Sequence, residues 1–138
     1  MANVTFTDNT AEVKEAIREN SWAILEEITG ELESQVKRNT RVKTGQTKNS
    51  WQHVVVEDGE NLVGIVGSNH ENAIWEEFGT GEHALQGDGR KGGWWYKDDE
   101  GKWHHTFGKK PSRALHKAFS SSKNKIINRI QNVFKGLK

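Results

Sequence analysis

The sequence predicts an α+β domain: a small antiparallel β-sheet of two hairpins, packed against long N- and C-terminal helices and one short central helix. Three observations carry that prediction. Apolar residues recur at helical spacing over 10–39 and again over 111–136. Two pairs of β-rich runs, 51–57 with 62–67 and 94–97 with 102–107, are each divided by a turn signal. Between the pairs stands Ala73-Ile74-Trp75-Glu76-Glu77-Phe78-Gly79-Thr80-Gly81, a helical phrase stopped by two glycines.

Val4-Thr5-Phe6-Thr7 alternates and reads as a short strand with Val4 and Phe6 on one face. Asp8-Asn9-Thr10 then opens the first helix, with Asn9 (paired with Glu12) or Thr10 as its cap. Val13, Ile17, Ile24, Ile28, Leu32 and Val36 form its stripe, and Lys37 and Arg38 close it in the sense the helix dipole favours. Gly30 inside it costs about 1 kcal/mol against Ala and marks a bend or close packing. Residues 41–50 are a polar connector in which Thr44 caps a single helical turn at Gly45 and beyond. Asp58-Gly59 is the turn of the first hairpin.

In the central phrase Ile74, Trp75 and Phe78 share one helical face. The expectation is that Trp75 and Phe78 anchor the turn to the core, Glu76 is solvated, and Glu77 braces the turn. Gly79 and Gly81 would aim the following loop, 79–93, which has six glycines in fifteen residues. Such a loop is either a mobile binding arm or a segment that a partner orders. Around Asp98-Asp99-Glu100-Gly101 the second hairpin carries Trp94 and Trp95, then Trp103, His105 and Phe107 on one face; burial against the body is the expected use of those rings. Pro111 suits the first position of the last helix. Leu115, Phe119, Ile126, Ile130, Val133 and Leu137 make its stripe, flanked by Ala118, Ile127 and Phe134.

The 138 residues fit a single domain over 1–138. Hydrophobic residues make up 33%, and the mean hydropathy is −0.86, so the core is lean. Six Trp and five Phe in such a chain suit a subunit whose apolar surface is completed by neighbours. No run approaches the ~20 apolar residues of a membrane span, and no basic-then-apolar leader pattern stands at the N-terminus. The lack of Cys removes disulfide and thiolate chemistry and fits an intracellular site of synthesis. The net charge of +1 hides an asymmetry. Residues 107–138 hold nine Lys or Arg and no acid, leaving 11 basic against 19 acidic residues before them. A basic tail on an acidic body points to an anionic partner or to head-to-tail packing of copies.

Catalytic patterns are wanting. His83, His104 and His105 with Asp88, Asp98 and Asp99 lack the paired spacing of zinc ligands, and adjacent His104 and His105 on a strand diverge. Glu76 and Glu77 are neighbours on a helix and cannot face each other across a substrate. There is no nucleophile elbow and no phosphate-binding loop. Lys109, Lys110, Arg113, Lys117, Lys123, Lys125 and Arg129 are the candidates for contact with DNA or a neighbouring subunit, against the plain reading of a solvated helix face.

Four phrases, in order, resemble the small tail-completion proteins of long-tailed bacteriophages, also called head–tail joining, neck or minor capsid proteins. They are Val42-x-Thr44-Gly45-x-x-x-x-Ser50, Ala73-x-x-x-Glu77-Phe78-Gly79-Thr80, Gly92-Gly93-Trp94-Trp95-Tyr96-Lys97 leading to Gly108-x-Lys110-Pro111, and Pro111-x-x-x-Leu115-x-x-Ala118. Arg41, Thr47, Asn72, Arg113 and Ala114 depart from the family pattern. The resemblance implies a virion structural protein with no catalytic residue, cofactor or metal. It implies rings, often of six, that couple the portal or connector to the tail tube, with long loops reaching neighbours. It places Thr44, Gly45, Trp75, Glu77, Phe78, Gly79, Thr80, Gly81, Trp94, Trp95 and Pro111 among the structural and assembly residues. The site of action would be the head–tail junction of the virion, with the host bacterial cytoplasm as the place before assembly. Two other readings stand beside it: a nucleic-acid-binding module using 109–138, and a metal-dependent hydrolase using His83, His104 and His105.

Overall fold

The computed structural model describes residues 3–42 and 45–135. Thr44 and its predicted cap lie outside the described residues, as does Leu137. The elements are α1 (Thr10–Asn39), α2 (Gln46–Asn49), β1 (Trp51–Asp58), β2 (Asn61–Ser68), α3 (Glu71–Phe78), a 3-10 turn (Gly81–His83), β3 (Trp94–Lys97), β4 (Trp103–Thr106) and α4 (Ala114–Lys135). The class is α+β with long terminal helices, as predicted. The two hairpins form two separate two-stranded sheets.

Residues 3–9 form no strand, and Val4 and Phe6 are 94% and 88% exposed. Alternation alone does not hold a strand that has no neighbour to pair with. Asn9 holds the N-cap position of α1 but makes no side-chain capping bond; the Asp8 carboxylate instead accepts the Thr10 N–H at 2.9 Å. The apolar stripe of α1 is buried only from Ile24 onward, at Ile24, Ile28 and Val36. Every residue from 10 to 20 is exposed.

The reason lies in α4, which runs antiparallel to α1. Asn39 donates to the Ala114 carbonyl at one end (3.2 Å), and Arg129 sits between Glu27 and Glu31 towards the other. Ile130 and Phe134 reach Ile17, Ile24 and Leu25, where they line an open cleft of about 660 Å³. The first turns of α1 project past it. Small Ala114 and Ala118 let α4 approach closely. With Val36, Trp51 and Ala73 they form the main core, joined by Val66 and Leu115. The Trp51 indole N–H donates to Thr40 Oγ1 (3.0 Å), whose hydroxyl donates to the Val36 carbonyl (2.7 Å), so the polar tip of the ring is satisfied.

β1 and β2 pair one-to-one from Trp51↔Ser68 to Asp58↔Asn61. The turn is therefore Gly59–Glu60, one residue later than expected, with Gly59 at φ +62°. Trp51 and Val55 face α1 and are buried. Gly64 is required there, because a Cβ would stand 2.5 Å from Thr29 Cγ2. The opposite face presents Val54, Val56, Val63 and Ile65, with Val54 and Ile65 48% and 45% exposed. Among the described residues no helix is long and apolar enough to cross a membrane.

Candidate assembly surface

Helix α3 sits the opposite way round from its sequence pattern. His70 caps it, accepting the Asn72 N–H at Nδ1 (3.2 Å). Ala73, Glu76 and Glu77 are buried, whereas Ile74, Trp75 and Phe78 are 58%, 51% and 42% exposed. The expectation that Trp75 and Phe78 dock into the core, with Glu76 in water, is corrected by these exposures.

The carboxylates are inside because they have work to do there. Glu77 Oε2 accepts the Leu115 N–H (2.9 Å) and Oε1 the His116 N–H (3.0 Å). Those amides belong to the first turn of α4, where a helix leaves N–H groups without internal partners. Glu77 thus caps α4 from another element, and its charge suits the positive end of that helix dipole. Its expected brace acts on α4 rather than on the turn that follows α3. Arg113 Nε lies 3.7 Å from Glu77, near enough for attraction but beyond hydrogen-bond reach. Arg113 has φ +57°, the one described non-glycine residue with positive φ. The helix therefore starts at Ala114, with Pro111 and Ser112 in its lead-in rather than its first turn. Glu76 pairs with the Lys109 ammonium, and its backbone carbonyl accepts the Ser112 N–H at 2.7 Å. Its Oε2 is buried with no hydrogen-bond partner among the described residues.

Two chain segments cross at the end of α3. Thr80 N–H donates to the Lys109 carbonyl (2.9 Å), Lys109 N–H to Thr80 Oγ1 (2.8 Å), and Glu82 N–H to the Phe107 carbonyl (2.8 Å). A Cβ on Gly79 would stand 2.8–2.9 Å from the carbonyls of His83 and Lys109 and from Pro111 Cδ; one on Gly81 would stand 2.3 Å from the Phe107 carbonyl. Both also have positive φ, +76° and +60°. Close approach, as much as turning, demands these glycines. The 79–93 loop is held by its own chain. Leu85 N–H reaches the Phe78 carbonyl (2.9 Å), and Gly92 N–H reaches the Glu82 carboxylate (3.1 Å).

The crossing fixes the second hairpin relative to α3. That hairpin packs chiefly on itself, and the expected burial of its rings does not occur. Trp95 and Trp103 are 65% and 61% exposed. His105 lies edge-on to both Trp95 (5.1 Å) and Phe107 (4.9 Å), and Lys97 lies over Trp103 (5.8 Å). On the other face Tyr96 stacks on His104 (5.4 Å), and Arg90 lies over Trp94 (5.6 Å). His104 Nε2 meets Asp98 Oδ2 at 2.7 Å, and this contact leads in holding the Asp98 carboxyl below its usual range. His104 and Asp98 are thus used in the turn. Among the described residues no cluster of three His, Cys, Asp or Glu has the geometry to hold a metal.

Of the seven basic candidates, Lys109, Arg113 and Arg129 lie against internal carboxylates. The Lys110 carbonyl accepts from Arg41 (3.0 Å), and its side chain is exposed. Lys117, Lys123 and Lys125 are exposed but fall on different sides of α4, so no continuous basic stripe forms. Gly45 takes φ +81° at the start of α2.

One cluster escaped the sequence reading. His53, on the α1-facing side of β1, meets Glu33 at Nδ1 and Glu26 at Nε2 (3.2 Å). Lys37 also binds Glu33 (2.6 Å). Glu33 raises the His53 pKa; Lys37 first, then His53, lower that of Glu33. Glu26 and Glu33 stand seven residues apart, two helical turns on one face, and that spacing was the available signal.

No curated protein and no solved structure matches the chain. A family model described as "Bacteriophage HK97-gp10, putative tail-component" matches residues 5–79.

Proposed function

The chain belongs to the bacteriophage HK97-gp10-like family of tail components, and from that premise we propose that it is a ring-forming subunit of the head–tail interface. As a phage tail component it is a structural protein of the virion that works beside other virion proteins. In the proposed role it completes the tail at the neck and couples the portal or connector to the tail tube. Copies associate head to tail in a closed ring, of six in the virion. Such heterologous contacts close when the rotation between copies does.

The observation that carries this reading is the surface. The chain exposes 10334 Å², where a compact monomer of 15.6 kDa would expose about 7,200 Å². The surplus, about 3,000 Å², is of the order that a permanent assembly covers. Aromatic rings concentrate on it. Trp75 and Phe78 on α3 and Trp95 and Trp103 on the β3–β4 hairpin lie on elements joined by the hydrogen-bonded crossing, and Trp and Tyr are the residues that anchor interfaces. Lys117, Lys123 and Lys125 are left to meet an acidic neighbour or the DNA in the channel.

The test is native mass spectrometry of the protein alone and with connector and tail-tube proteins. The expected result is a ring, formed freely or on docking, that is lost in Trp95→Ser/Trp103→Ser while the melting temperature holds. Monomer under every condition, with both partners present, would overturn the proposal.

A further inference from the structure

We propose that residues 4–7 of one copy add as a strand to the open edge of β2 in a second copy. This rests on the self-association proposed above, but names a contact on a different part of the molecule. Val4-Thr5-Phe6-Thr7 has strand alternation and no charge, yet it pairs with no strand among the described residues and leaves Val4 and Phe6 almost wholly in water. The segment precedes α1, whose first four residues, at about 1.5 Å each, span roughly 6 Å before Lys14, the first α1 residue to line the cleft. Phe6 lies beside Val13 and Lys14, and no strand of the described residues pairs with the segment.

The receiving edge is unusual in being unprotected. β2 reads Asn61-Leu62-Val63-Gly64-Ile65-Val66-Gly67-Ser68, with no charge and no proline. Its pairing with β1 is unbroken over eight residues, so no bulge twists it away. The sheet has two strands, and no backbone hydrogen bond joins the outer side of β2 to any described residue. Natural proteins blunt such edges with lysine, proline or bulges. β1, by contrast, carries His53, Glu57 and Asp58, and Arg18 pairs with Glu57. Strand addition supplies the missing backbone partners and sets alternate side chains beside their neighbours. Val4 and Phe6 then continue the exposed row of Val63 and Ile65. A second copy is the fitting occupant, because both halves of the pairing lie on this chain and the surplus surface calls for a large, repeated contact.

The chain has no cysteine, so paired cysteines report the contact directly. Phe6→Cys or Val4→Cys protein is mixed with Ile65→Cys or Val63→Cys protein, which scans the register at exposed positions. The mixture is oxidised and read on a non-reducing gel beside sedimentation of the same sample. The expected result is a covalent dimer in at least one pairing, roughly tenfold above the Phe6→Cys with Asn132→Cys control. Ile65→Lys, placed in the Val63→Cys partner, should abolish it without moving the melting temperature. Assembled protein with no product above control overturns strand addition and leaves the ring reading standing. Protein that stays monomeric and uncrosslinked, alone and with its tail partners, overturns both. A Phe6→Cys/Ile65→Cys variant that closes within one chain at high dilution overturns the exchange between copies.

Discussion

Glu77→Ala is the sharpest perturbation of the fold. The side chain is buried, at 6% exposure, and gives both oxygens to amides of the first turn of α4. Its loss leaves the Leu115 and His116 N–H groups without a charged acceptor and Arg113 without its nearby anion. Hydrogen bonds to charged groups contribute about 1.5–3 kcal/mol each; water entering the vacated site returns part of that. The net cost is expected near 3 kcal/mol. At about 2.1 cal/mol/K per residue, the melting temperature should fall by roughly 10 °C. Glu77→Gln keeps one oxygen and should cost about half as much. Urea unfolding followed by tryptophan fluorescence gives the free energies, at one low protein concentration so that assembly does not contribute. Hydrogen exchange should speed up first at Leu115 and His116. An alanine variant within about 0.5 kcal/mol of the parent, or equal damage from alanine and glutamine, would refute the capping role.

Gly79→Ala should destabilise by about 2 kcal/mol or more, since it combines left-handed strain of about 1–2 kcal/mol with backbone atoms that cannot swing aside. Gly59→Ala, at φ +62° in open space, should cost only the strain; equal losses in chemical denaturation would contradict the crowding at Gly79. Thr40→Val removes the acceptor of the Trp51 indole and should cost about 1–2 kcal/mol, read from the same unfolding curves. The His53 cluster predicts a stability maximum at mildly acidic pH. The Glu33 contribution is present above about 4.5 and lost as pH falls through its lowered pKa, whereas that of His53 is full below about 6.5 and lost as pH rises through its raised pKa. Melting from about pH 3 to 9 should show both limbs, and His53→Gln should flatten the alkaline one; an unchanged alkaline limb would exclude His53 as its source.

Periodicity made the helices legible. The limits of α1 and α3 follow from their patterns because each helix is bounded by caps and breakers that act locally. The orientation of α3 was not legible. A pattern rule sends rings inward and carboxylates outward, but here α4 arrives with unpaired amides while Lys109 and Arg113 flank the site. Those groups lie more than thirty residues away in sequence, and the acid-free run from 107 onward was their only trace. Glycines in the 79–93 loop likewise signalled freedom. At Gly79 and Gly81 they instead admit a second backbone at van der Waals distance, a contact no local spacing encodes. The strand expected at 4–7 failed for the complementary reason: its residues were right, but no strand among the described residues pairs with it.

The cap on α4 also makes α3 a strut. Ile74, Trp75 and Phe78 stand on one side of an eight-residue helix, and Glu77 grips α4 from the other. A neighbour that seized the outer face would pull on the first turn of α4, and through the Asn39 contact on the far end of α1. That load path runs along helices and bypasses both hairpins. In a tail component, tension between neighbouring proteins would be carried by the two longest elements of the chain.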